Sequence, residues 1–137
     1  MTALESLQEC AAQNNIYIYK DLYFDDVSCA VNMGGTSAIV LSEDHIASEA
    51  NETVYLAHEL GHCMTGAFYN IFSPMCHPGR CENRANIWAI KRLVAKEKLE
   101  NAICLGTTDV WELAEHFNVT ESFMAKAVEY YKMTSEV

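Results

Sequence analysis

A chain of 137 residues, half of them apolar, suits one compact domain with a single core. Its formal charge of −10 argues against a general affinity for nucleic-acid backbones. The longest apolar runs, such as Ser37-Ala-Ile-Val-Leu41, fall far short of a membrane span, and Met1-Thr-Ala-Leu-Glu-Ser6 shows no secretory signal, so a cytosolic location is expected.

Residues 3–13 read as a short amphipathic helix with Leu4, Leu7 and Ala11 on one face. Ile16-Tyr-Ile-Tyr19 is β-branched and aromatic and suits a strand. Ser28-Cys-Ala-Val31 and Thr36-Ser-Ala-Ile-Val-Leu41 are further strands, parted by the turn signal Asn32-Met-Gly-Gly35. They predict a small sheet of about three strands containing an antiparallel hairpin. From Glu49 onward the pattern turns helical. Residues 50–63 place Leu56, Leu60 and Cys63 on one stripe and His58 and His62 on another. Residues 64–80 hold both prolines and two of the six glycines, and read as an irregular loop. A second helix is expected from Glu82 to about Lys96, with Ala85, Trp88, Ala89 and Leu93 inward. A third runs from Asp109 to Phe117 on Val110, Leu113, Ala114 and Phe117. The last starts near Thr120, a suitable N-cap, and buries Phe123, Ala127, Tyr130 and Tyr131.

The fold class is therefore α+β, a small sheet packed on a mainly helical C-terminal part. A single domain over 1–137 has three regions: an N-terminal helix and sheet (1–48), a central pair of helices with their loop (49–98), and C-terminal helices (99–137). Charge is unevenly spread, since residues 1–62 carry Lys20 alone against ten acids. Between Arg80 and Lys98 the balance reverses, with Arg80, Arg84, Lys91, Arg92, Lys96 and Lys98 against Glu82 and Glu97. That stretch could dock an acidic partner, or simply be a solvated helix face. The six cysteines form no CxxC pair, and without a secreted context most read as buried or partly buried free thiols. Cys76, His77 and Cys81 could form a second metal loop, but their spacing is not a recognised zinc pattern.

The chemistry concentrates in Tyr55-Leu-Ala-His58-Glu59-Leu-Gly-His62-Cys-Met64. Two histidines four apart on a helix lie one turn apart on one face, where both imidazoles reach the same metal ion. Glu59 then sits beside the ion's open position as a general base, taking a proton from water and passing it to a leaving amine. Zinc suits this set, although manganese or iron also accept two histidines and a carboxylate. A motif with three fixed positions also recurs in proteins with no catalytic role. Gly61 costs about 1 kcal/mol relative to Ala within a helix, which close helix packing would offset.

A third ligand in the long metzincin pattern would need Gly and His where this chain has Thr65 and Phe68. A glutamate from the next helix is the alternative, and Glu82 stands twenty positions after His62. Asn86, one turn after Glu82, could hold a ligand histidine in the required tautomer or be an ordinary polar helix residue. Tyr69, His77 and Arg80, in or beside the loop, read first as loop residues without a chemical role; of the three, Tyr69 is the preferred candidate for an oxyanion stabiliser. His45 and His116 lack a ligand partner and read as structural or surface residues.

Taken together, His58-Glu-Leu-Gly-His62-Cys63, Thr65-Gly-Ala-Phe-Tyr-Asn70 and Glu82-Asn-Arg-Ala-Asn86-Ile-Trp-Ala-Ile90 resemble the ImmA/IrrE family of zinc metallopeptidases. The resemblance covers roughly residues 35–131. It implies a minimal zincin-like fold and zinc held by His58, His62 and Glu82, with Glu59 catalytic. It also implies a partner, because family members cleave a helix-turn-helix repressor of a phage or mobile element. The chain departs from the family at Leu93-Val-Ala-Lys96, where relatives often carry a proline, and it is too short to include the sensor domain of longer relatives. Two rivals stay open. One is a metal-binding regulatory module that inactivates its partner without cleaving it. The other is DNA binding by Leu113–Met124, which has a helix-turn-helix outline, but whose recognition helix holds Glu121, Lys126, Glu129 and Lys132, with no arginine for guanine edges and no excess of positive charge.

Overall fold

The computed structural model describes residues 1–21, 28–66 and 78–134. Chain order is α1 (Ala3–Gln13), β1 (Ile16–Asp21), β2 (Ser28–Asn32), β3 (Ser37–Ser42), a 3-10 turn (Glu43–His45), α2 (Glu49–Thr65), α3 (Pro78–Leu93), α4 (Lys96–Cys104), α5 (Val110–Phe117) and α6 (Glu121–Thr134). The α+β class expected from the sequence is found: a three-stranded mixed sheet with a helical majority.

The sheet order is β1-β3-β2. β2 and β3 form the anticipated hairpin, with Ser28 opposite Leu41 and Asn32 opposite Ser37. Gly34 and Gly35 both take positive φ (74° and 60°), as a tight two-residue hairpin turn requires. β1 pairs parallel to β3 on its other side, Ile16 opposite Ser37 and Asp21 opposite Ser42. β3 is thus central, and Ile39 and Leu41 are fully buried while Ile16 is nearly so.

α2 starts at Ser48, whose hydroxyl accepts from Asn51 N–H at 3.2 Å, and its first turn carries Glu49 and Glu52 against the helix dipole. It stops at Gly66, in the left-handed conformation, whose N–H returns to the His62 carbonyl. Its buried stripe of Thr53, Leu56, Ala57, Leu60 and Gly61 packs on α1, the sheet and above all α3. Gly61 makes that packing possible: a Cβ there would lie 2.5 Å from the Ala85 carbonyl oxygen on α3. Glu52, nearly buried, is paired with Lys20 at 3.0 Å.

The second long helix differs from expectation at both ends. α3 begins at Pro78, a residue suited to a first helical turn, and stops at Leu93. A separate helix, α4, follows after Ala95 turns extended (φ −63°, ψ 137°), and it was not anticipated. The boundary placed at residue 98 therefore falls inside α4. Ala85 and Ala89 are fully buried as expected, whereas Trp88 and Leu93 are only partly so. α5 and α6 complete the core through Leu113, Ala114, Val119, Phe123, Met124 and Ala127, while Val110 stays exposed and Tyr130 and Tyr131 are half-buried. Thr120 caps α6, accepting from Phe123 N–H at 3.3 Å. Among the described residues no helix is long and apolar enough to cross a membrane.

Candidate metal centre

Two helices build the site. α2 supplies His58, Glu59 and His62, and α3 supplies Glu82 and Asn86. The four-residue spacing stacks the two imidazoles one turn apart, with ring centroids 4.9 Å apart and planes nearly perpendicular. Glu82 faces both: its Oε2 lies 2.8 Å from His58 Nε2 and its Oε1 3.1 Å from His62 Nε2. The three residues offer ligand atoms all within 4.8 Å of one another. Around a tetrahedral zinc such atoms sit roughly 3.4 Å apart, so the two carboxylate–imidazole contacts would need to open by only a few tenths of an ångström. His62 is buried and Glu82 is exposed, so the centre opens to solvent on the α3 side.

Asn86 contacts the outer nitrogen of the first histidine. The Nδ1–H of His58 donates to Asn86 Oδ1 at 2.8 Å, which would leave Nε2, now 2.8 Å from Glu82 Oε2, as the nitrogen that ligates an ion between them. One helix thus contributes a carboxylate that could ligate an ion and, a turn later, an amide that contacts a histidine on its neighbour. Two nitrogens and a carboxylate, with one donor nitrogen fixed from behind, fit a divalent transition metal and leave a position open.

Glu59 is 5% exposed and lies on the β2 side of α2. Ser28 Oγ donates to its Oε2 at 2.5 Å. Burial pushes the Glu59 carboxyl above the usual glutamate range, while the Ser28 hydrogen bond and the neighbouring histidines pull it down. Cys63, next to His62, is half-buried, and burial raises its thiol to about 11 despite a hydrogen bond with Ser37.

Of the residues singled out by sequence, His58, Glu59, His62, Glu82 and Asn86 come together. Tyr69, Cys76 and His77 lie outside the described residues. Arg80 is exposed two residues before Glu82, so it projects from nearly the opposite side of α3. Cys81 is buried and disulfide-bonded, which removes its thiolate from any second metal loop, whereas Cys10, Cys29, Cys63 and Cys104 are free thiols. His45 bonds Ser42 Oγ at 2.9 Å and His116 stands edge-on to Phe117, as structural residues would. Ser28 was missed. It is 31 positions from Glu59, so no spacing rule connects them, and only the sheet's placement beside α2 reveals the contact. No protein-family model matches the chain, and no curated protein is significantly similar to it.

Proposed function

We propose that the chain is a zinc-dependent endopeptidase. The observation that carries this is the convergence of His58, His62 and Glu82, with Glu59 one residue after the first histidine and Asn86 behind it. His58, His62 and Glu82 would hold zinc, which would supply the Lewis acidity that makes water nucleophilic near neutral pH. Glu59 takes the proton from the attacking water and delivers it to the leaving amine, and its buried setting favours such exchange. Asn86 keeps His58 in the Nδ1–H tautomer throughout. Tyr69 keeps its candidacy as an oxyanion donor on the sequence pattern alone. Residues 113–124 serve the core, and the exposed positions of α6 carry Glu121, Lys126, Glu129 and Lys132 in balance, which favours a protein-processing role over DNA contact.

The substrate class comes from the resemblance to ImmA/IrrE peptidases: a helix-turn-helix repressor of a phage or mobile element, met in the cytosol. The test uses zinc-loaded protein, its Glu59→Gln variant and a helix-turn-helix repressor of the proposed substrate class. Wild type should cut the repressor and Glu59→Gln should bind zinc normally without cutting. Undiminished cleavage by that variant sinks the mechanism. Repression relieved while the repressor stays intact on a gel would instead identify a regulator acting by binding alone.

A further inference from the structure

Glu59 has two carboxylate oxygens, and the fold has already engaged one of them. Ser28 Oγ donates to Oε2 at 2.5 Å from the first residue of β2. That residue is not on a loop: it is paired with Leu41 of the central strand, and Leu41 is fully buried. The hydroxyl is therefore carried by the sheet, while the carboxylate is carried by α2. A glutamate side chain left alone samples many rotamers, and ordering it costs up to about 2 kcal/mol. A donor on a rigid neighbouring element removes that freedom before any substrate arrives.

We propose that Ser28 is a positioning residue for Glu59. By holding Oε2 it fixes the carboxylate plane and leaves Oε1 as the oxygen that exchanges protons. This rests on the reading of Glu59 as general base, and it assigns β2 a role in the reaction that the helix motif does not contain. The alternative is that the hydrogen bond merely satisfies a buried polar group and ties β2 to α2. The two differ in what they predict, because a stabilising contact alone affects folding and metal content, whereas a positioning contact affects the reaction with both unchanged.

The test compares zinc-loaded wild type with Ser28→Ala, Ser28→Thr and Glu59→Gln. Three quantities are read for each: zinc stoichiometry, kcat and KM on the repressor, and affinity for a peptide hydroxamate. The hydroxamate chelates the metal and shares a proton with the general-base carboxylate, so it senses the aim of Glu59 without any turnover. Ser28→Ala should keep full zinc while kcat falls on the order of tenfold or more, KM holds, and hydroxamate affinity falls on the same order. Ser28→Thr, which retains the hydroxyl on a strand-compatible side chain, should stay close to wild type. Equal kcat and equal hydroxamate affinity in Ser28→Ala overturn the proposal. So does an equal fall in the Ala and Thr variants, or a loss of zinc that accounts for the lost activity. Wild-type protein that cuts no repressor refutes the peptidase reading instead, and the hydroxamate ratio still decides the role of Ser28.

Discussion

Replacing Gly61 by Ala sets two opposed effects against each other at one atom. An exposed helix interior would gain about 1 kcal/mol from the change. Here the added methyl would sit 2.5 Å from the Ala85 carbonyl oxygen and 2.8 Å from the Ala85 Cα, both backbone atoms that cannot rotate away. Ordinary contact begins near 3.4 Å, so α3 must retreat by the difference, 3.4 − 2.5 = 0.9 Å. Overpacking of this kind costs about 1–3 kcal/mol, which leaves a net destabilisation on the order of 1 kcal/mol after the propensity gain. For a domain of this size that is a fall in Tm of about 4 °C. The larger consequence concerns the metal, since Ala85 is less than one turn from Glu82 and ligand distances tolerate only about 0.2 Å. Zinc affinity should drop by roughly tenfold or more, measured by competition with a chromophoric chelator alongside melting in EDTA. A Gly61→Ala variant with undiminished zinc affinity and a raised Tm would refute the close-packing argument.

Three further outcomes are expected. Asn86→Ala should keep the fold but weaken zinc binding about 10- to 100-fold, because His58 loses the acceptor that fixes its tautomer; an unchanged dissociation constant would dismiss that role. Cys63, with its thiol raised to about 11, should be about 0.1% thiolate at pH 8 against about a quarter for a thiol in an unfolded chain. Iodoacetamide should therefore label it on the order of a hundredfold more slowly in the native than in the denatured protein, with the rate climbing as pH rises toward 11; equal rates would contradict its buried setting. Tyr131→Phe removes the hydroxyl that donates to the Val94 carbonyl at 2.7 Å, and should lower the urea-derived stability by about 1–2 kcal/mol without touching zinc affinity.

That last contact also explains where sequence reasoning ran out. Residues 93–96 contain no glycine or proline, so nothing local announces the break between α3 and α4. The Val94 carbonyl released there is satisfied by Tyr131, 37 positions away, a tertiary solution with no local pattern. The parallel pairing of β1 with β3 was hidden for a similar reason, because strand composition reveals strands and turns but not which edge a third strand joins. By contrast, α1 was legible in its span and its inward face, since residues 3–13 are helical with Leu7 and Ala11 buried and Leu4 packed against the core. The candidate cluster was legible because helical spacing alone places His58 and His62 together, and Glu82 with Asn86 follow the same rule on the partner helix. Ser28 was not, since it reaches Glu59 only through the sheet.

The close approach of α2 and α3 at Gly61 has a consequence for the life of the molecule. The candidate ligands come from both helices and face one another, so an ion bound there would act as a clasp across the seam. By mass action each tenfold rise of free zinc above its dissociation constant adds about 1.4 kcal/mol to the closed form. The same closure shields α3's buried alanines from proteases, which act on transiently opened chains. A metal bound there would then govern how long each copy survives as well as complete the proposed site, and its removal would shorten the life of the protein.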